Sequence, residues 1–177
     1  MRRLLAPLLA LLGGCADPAA EHLFGIGDPV RGAALNAPAL LGDTSRHAGR
    51  PGRAARAAVQ LEVLADAFQN DPRYAPEASG AVQHATRLGR AEMRQAIGIA
   101  PDAPPEAVIG QLREAAAALD AGSPARAEAA LSGPMFPAGG SATLARLGRL
   151  PTLPRVAEAA AQANAEIRRI DRGGRSG

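Results

Sequence analysis

The chain contains no lysine and no tryptophan, and its 177 residues include one cysteine, one tyrosine and three phenylalanines. Each shortage excludes something. Proteins that hold single-stranded nucleic acid or glycans commonly stack bases or sugars on aromatic faces. With four rings in the whole chain no stacking platform is expected, and no nucleic-acid partner. A single cysteine forbids an intramolecular disulfide and leaves no thiol pair for a structural zinc site. His22, His47 and His84 show no HExxH or other short two-histidine spacing, so no metal site and no cofactor are expected. There is no G-x-S-x-G nucleophile elbow. The glycine-rich run Gly25-Ile26-Gly27-Asp28-Pro29-Val30-Arg31-Gly32 lacks both the Gly-Lys-Ser/Thr ending of a P-loop and the G-x-G-x-x-G order, and it reads as turn punctuation.

What is abundant is small or arginine. All 20 basic residues are arginine, and there are 20 glycines and 15 prolines. The hydrophobic fraction of 47% is largely alanine, which buries little area. From residue 16 onward, 29 of 162 residues are Leu, Ile, Val or Phe. At about 25 cal/mol per Å2 of apolar surface these few must carry the core, with close approach of small residues replacing bulk. Net charge is low, +3 at pH 7, so a single folded domain is expected rather than a disordered chain.

Near the start, Arg2 and Arg3 precede an apolar run from Leu4 to Leu12. Nine helical residues reach only about 14 Å, against a hydrocarbon core of about 30 Å, so this run cannot span a membrane. It ends in Leu12-Gly13-Gly14-Cys15. A basic n-region, a short apolar h-region and a small-residue site ending in cysteine resemble the signal and lipobox of bacterial lipoproteins, over about the first sixteen residues. The resemblance implies cleavage between Gly14 and Cys15, a diacylglycerol on the Cys15 thiol and a further acyl chain, such as palmitate, on its new amino group. At about 0.8 kcal/mol per buried CH2, two or three chains hold a protein on a membrane effectively for good. The residue after Cys15 is Ala16, not the aspartate that retains such proteins at the inner membrane, so the resemblance favours the periplasmic face of the outer membrane. Loss of Arg2 and Arg3 would lower the net charge from +3 to +1.

The resemblance implies a signal peptide (1–14) and a lipidated start to the tether and packed loop (15–50), and composition and periodicity mark a helical domain (51–171) and a disordered tail (172–177). Gly and Pro punctuate residues 16–50 too densely for a long element, leaving at most a turn of helix near Ala33 to Leu35. Beyond Pro51, apolar residues fall three and four apart. Ala54, Ala57, Ala58, Leu61, Leu64, Ala65 and Phe68 define a helix to Asn70. A second is expected from Pro76 to Gly98, with Gly89 marking close approach of a neighbour, and a third, capped by Asp102, closes at Gly122. Ser123-Pro124 opens a short fourth and Ser141 a brief one. Leu153, Val156, Ala160, Ala163, Ile167 and Ile170 form the seam of a last helix, from about Pro154 to Asp171. No 34-residue repeat supports a solenoid. The expected fold class is all-α, an irregular antiparallel bundle of about five helices with a flexible N-terminal tether.

Two clusters bear on function. Arg46, Arg50, Arg53 and Arg56 carry four positive charges with no acid between Asp43 and Glu62, a candidate contact for anionic headgroups or an acidic partner. Residues 102–128 lean the other way, through Asp102, Glu106, Glu114, Asp120 and Glu128, and the two stretches are candidates to face each other. Asp43, Ser45 and His47 supply the residue types of a hydrolase triad, but they are crowded in sequence and read first as a turn or cap that orders the approach to the helix beginning at Pro51. The expected function is that of a membrane-anchored envelope lipoprotein with a structural or protein-interaction role and no catalysis. The alternatives are an envelope hydrolase using Asp43, Ser45 and His47, or a small-ligand binder within the bundle.

Overall fold

The computed structural model describes residues 28–173. Seven α-helices and one 3-10 turn follow in order: α1 Pro29–Leu41, the turn Thr44–His47, α2 Pro51–Asn70, α3 Gly80–Ile97, α4 Pro105–Asp120, α5 Pro124–Ala130, α6 Gly140–Leu147 and α7 Pro154–Gly173. There is no strand among the described residues, and no helix among them is long and apolar enough to cross a membrane. The class is all-α as expected, but the helices among the described residues number seven rather than about five.

The largest correction is α1. Residues expected to be loop form a 13-residue helix, so the helical body reaches back to Asp28, ahead of the boundary expected at Pro51. Asp28 is its N-cap, accepting a hydrogen bond from the Arg31 amide at 3.0 Å, and Pro29 takes the first-turn position that suits proline. Pro38 sits inside the helix, where it removes the amide that would bond Ala34 and would ordinarily break the element. Asn164 on α7 replaces that donor, its side-chain nitrogen reaching the carbonyls of Ala34 and Leu35 at 3.1 Å each. A tertiary contact therefore repairs a local defect.

Boundaries shift elsewhere for local reasons. Helix α3 begins at Gly80 under a Ser79 cap, leaving Pro76 in the preceding turn. Helix α4 begins at Pro105 after Pro104, so Asp102 does not cap it. Helix α6 starts at Gly140, one residue ahead of Ser141. Helix α7 runs past Asp171 to Gly173, because Arg31 grips Asp171 through Nε and Nη2 at 3.1 and 2.9 Å and fastens that end to α1. Arg172 and Gly173, assigned to the tail from sequence, are thus helical. Residues 174–177 of that tail, the signal peptide and the tether as far as residue 27 lie outside the described residues.

The bundle is antiparallel, as paired contacts show. Along α3 and α7, Ser79 meets Glu166 while Glu92 meets Arg155. Along α1 and α7, Arg31 meets Asp171 while Ala34 meets Asn164. Along α2 and α3, Glu62 meets Arg94 while Gln69 meets Gln83. Helix α2 is the centre, packed by α1, α3, α4 and α6. Its expected stripe is buried, and Ala55, Val59, Glu62 and Ala67 on other sides are buried too, as befits a helix enclosed all round. The seam of α7 is likewise core: Val156, Ala160, Ala163 and Ile167 are buried against α3 and α1. Gly89 is the close approach its position implied, since a Cβ there would lie 2.7 Å from the Ala159 Cβ and 3.0 Å from the Arg155 carbonyl.

Helices α3 and α7 cap each other. The Glu92 carboxylate accepts from the Arg155 and Val156 amides at 2.8 and 3.0 Å, and the Glu166 carboxylate accepts from the Ser79 amide at 2.6 Å. Each glutamate satisfies amides that a helix start leaves unpaired. Burial alone would raise the Glu166 pKa, but Arg169 and the bonds from Ser79 outweigh it and hold the carboxyl below its ordinary value of 4.5. Asp28 behaves in the same way. Burial is overcome by the Tyr74 phenol, the Arg31 amide and the charge of Arg73, and the pKa falls below its ordinary 3.8. A carboxyl with a depressed folded pKa contributes stability that is complete above its unfolded value and is lost as pH falls through the folded one. The urea midpoint is therefore expected to fall as the chain is acidified from about pH 5 to about pH 2, and Glu166→Gln is expected to flatten that slope. A midpoint independent of pH over this range would contradict the capping role.

Candidate functional site

The four arginines singled out in the sequence do come together. Arg46 lies in the 3-10 turn, Arg50 immediately precedes α2, and Arg53 and Arg56 occupy its first two turns. Spacings of three and four place them along one edge of a cleft of about 370 Å3, which His47 and Gln60 help to line. The amides of a helix start carry partial positive charge, so a carboxylate in the first turn would be favourable there. Helix α2 has none. Of the four arginines, Arg46 acts through its charge on the Asp43 carboxyl, and Arg56 pairs with a carboxylate, Asp120 at 2.7 Å. This bridge joins the basic stretch to the acidic one in α4. Both of its ends are half or more exposed, at 50% and 61%, so it contributes little to stability. The Gln60 Oε1 is buried with no hydrogen-bond partner. Arginine forks, an unneutralised helix start and a concave surface make this edge suited to an anionic group.

Asp43, Ser45 and His47 lie in and before the same 3-10 turn, but their hydrogen bonds are not those of a triad. A triad needs the hydroxyl on the imidazole and the imidazole on the carboxylate. Here the Ser45 hydroxyl donates to Asp43 at 2.7 Å, and the Ser45 amide donates to the same oxygen at 3.1 Å. The His47 Nε2 lies 2.7 Å from the Leu40 carbonyl, and the residue is buried. The bond from the Ser45 hydroxyl holds the Asp43 carboxyl below the ordinary carboxylate range, against a smaller opposing effect of burial. Asp43 thus serves as the N-cap of the turn, and Thr152 also donates to it at 3.2 Å. The grouping ties the approach to α2 to the approach to α7.

Among the described residues no set of three or more His, Cys, Asp or Glu side chains converges to hold a metal ion. Cys15 and Gly14 lie outside the described residues, as does His22.

The most unusual charged feature was missed in the sequence. Glu62 on α2 and Arg94 on α3 form a bidentate pair in the core, at 2.7 and 2.8 Å, with side chains 2% and 5% exposed. Arg94 also donates through Nη1 to the carbonyls of Pro101 and Ala103, at 2.9 and 2.8 Å. It thereby fixes the turn between α3 and α4. Thirty-two residues separate the partners, and nothing local marks either one as buried.

Fold and site together define a small all-helical bundle with an arginine-lined cleft. No family model matches the chain, and comparison with curated proteins and with solved structures found no match.

Proposed function

We propose that this protein is a lipid-anchored component of the bacterial cell envelope, attached through Cys15 and facing the periplasm, with the outer membrane as its site. Its helical body serves a structural or protein-interaction role rather than a catalytic one. The observation that carries this reading is the order Arg2-Arg3, apolar run, Leu12-Gly13-Gly14-Cys15, which gives the lone cysteine a chemical use without a disulfide. The Arg46, Arg50, Arg53 and Arg56 edge supports an interaction role, since Arg50 and Arg53 form no ion pair among the described residues and suit an acidic partner surface. The hydrogen bonding of Ser45 and His47 weighs against the hydrolase alternative.

Cys15→Ser is the test. It is expected to abolish metabolic labelling by palmitate and to move the protein from the membrane to the soluble fraction. Unchanged membrane association of the variant would overturn the proposal.

A further inference from the structure

A second arginine cleft lies away from the Arg46–Arg56 edge. It opens between the C-terminal half of α3, the turn that follows it and the loop leading into α6, and encloses about 810 Å3. That size falls within the range of about 300–1,000 Å3 common to small-molecule sites. Arg87 and Arg90 stand on α3, Arg146 reaches in from α6, and no Asp or Glu lines the cleft. None of these three guanidinium groups has a carboxylate partner among the described residues. The fourth arginine of the cleft, Arg94, is neutralised by Glu62 and serves to hold the floor. The floor itself is apolar: Ile99, Ala100 and Pro101 on one side, Pro137 and Ala138 on the other.

The cleft is built in advance of any ligand. The Ala100 amide donates to the Met135 carbonyl at 2.9 Å and ties the two walls together, while Phe136, 1% exposed, anchors the loop in the core. Gly98 ends α3 in the left-handed region with φ +88°, and the space its missing side chain leaves is filled by the Arg146 guanidinium. There Arg146 sits beside the α3 C-terminus, with Nη1 3.5 Å from the Ile97 carbonyl. The carbonyl end of the helix favours a cation at that place through partial negative charge, but no carboxylate forms an ion pair with Arg146 among the described residues.

We infer that this cleft binds a small amphiphilic organic anion, a carboxylate headgroup on an apolar body. Guanidinium forks match a carboxylate through paired hydrogen bonds, and the Ile99, Ala100, Pro101 and Pro137 surface accepts the apolar portion. An inorganic anion would leave the floor wetted and unused. A flat membrane surface would not fill a concave one. This inference does not rest on the anchor at Cys15.

The test uses the full chain carrying Cys15→Ser, so that no acyl chain of its own competes, titrated calorimetrically with decanoate below its micellar concentration. Saturable one-to-one binding is expected, with decanol and acetate each at least tenfold weaker. Arg90→Gln with Arg146→Gln is expected to weaken decanoate binding at least tenfold while the helical circular dichroism is retained. Should that double variant fail to fold, Ala138→Glu, an exposed change that puts a negative charge on the Pro137 and Ala138 side of the cleft, is expected to weaken it comparably. Absence of decanoate binding overturns the inference. So does equal affinity for decanol, for acetate or for inorganic phosphate, or binding unaffected by these substitutions. Adsorption to anionic phospholipid vesicles that is lost in the double variant, without decanoate binding, would assign the arginines to a membrane surface instead.

Discussion

Arg94→Met is expected to lower the stability of the folded chain by about 3 to 5 kcal/mol, the cost of leaving a buried charge without its partner. Glu62 is 2% exposed, and its two carboxylate oxygens accept from Arg94 at 2.7 and 2.8 Å. In the variant that carboxylate is left in a poorly solvated place without its countercharge. The same substitution strips the Pro101 and Ala103 carbonyls of their donor and frees the turn before α4. Folded domains are typically stable by only about 5 to 15 kcal/mol, so a large share is at stake. Replacing both partners, Glu62→Leu with Arg94→Met, is expected to restore the share of the loss that comes from the unpaired carboxylate, because an apolar pair of similar volume carries no desolvation cost, while the Pro101 and Ala103 carbonyls still lack their donor. Urea unfolding followed by circular dichroism separates the two outcomes. A loss below about 1 kcal/mol for Arg94→Met would mean that water reaches the pair and that it is no core feature.

Gly140→Ala is the second large effect, and its sign opposes helix propensity. Alanine is favoured over glycine inside a helix by about 1 kcal/mol, so a reading of α6 alone would predict a gain. A Cβ at Gly140, however, would overlap the Glu128 carbonyl oxygen and lie 2.6 Å from the carbonyl carbon. Those are backbone atoms of α5, which cannot swing aside as a flexible side chain can. Overpacking of this kind costs about 1 to 3 kcal/mol and at times more, and the clash here is with main chain. A net loss of about 2 kcal/mol or more is expected in urea unfolding. Gly110 provides the control. It lies within α4, and a Cβ added there would meet nothing within 4 Å, so Gly110→Ala is expected to gain about 1 kcal/mol. Equal effects at the two positions would show that α5 and α6 do not pack as closely as described.

How much was legible depended on whether the cause was local. The first long helix was readable from Ala54 to Phe68 because three-and-four spacing is a local property, and its end at Asn70 because Asp71-Pro72 follows. Gly98 and Gly122 were readable as helix ends because their φ values of 88° and 68° suit glycine. Gly89 was readable because a glycine on an apolar stripe costs propensity and needs a reason, which the Ala159 contact supplies. Helix α1 was not readable, because the donor that compensates Pro38 comes from Asn164, far along the chain. The arginines of the α2 edge could be grouped because they follow one another in a short stretch with no acid between Asp43 and Glu62. Arg87, Arg90 and Arg146 could not, since Glu92 interrupts the run and α6 delivers the third from a distance.

By itself the sequence determined the helical class, the larger share of the helix ends, the buried stripes of α2 and α7 and the concentration of charge from Arg46 to Arg56. All of these follow from spacing and backbone preference within a few residues. Tertiary structure alone decided that α1 exists, that Glu62 and Arg94 share the core, and that a second cationic cleft opens beside α3. Each of those depends on which groups from separate helices meet where water is scarce, and there a partner tens of residues away determines whether a charge or an unpaired carbonyl can be tolerated.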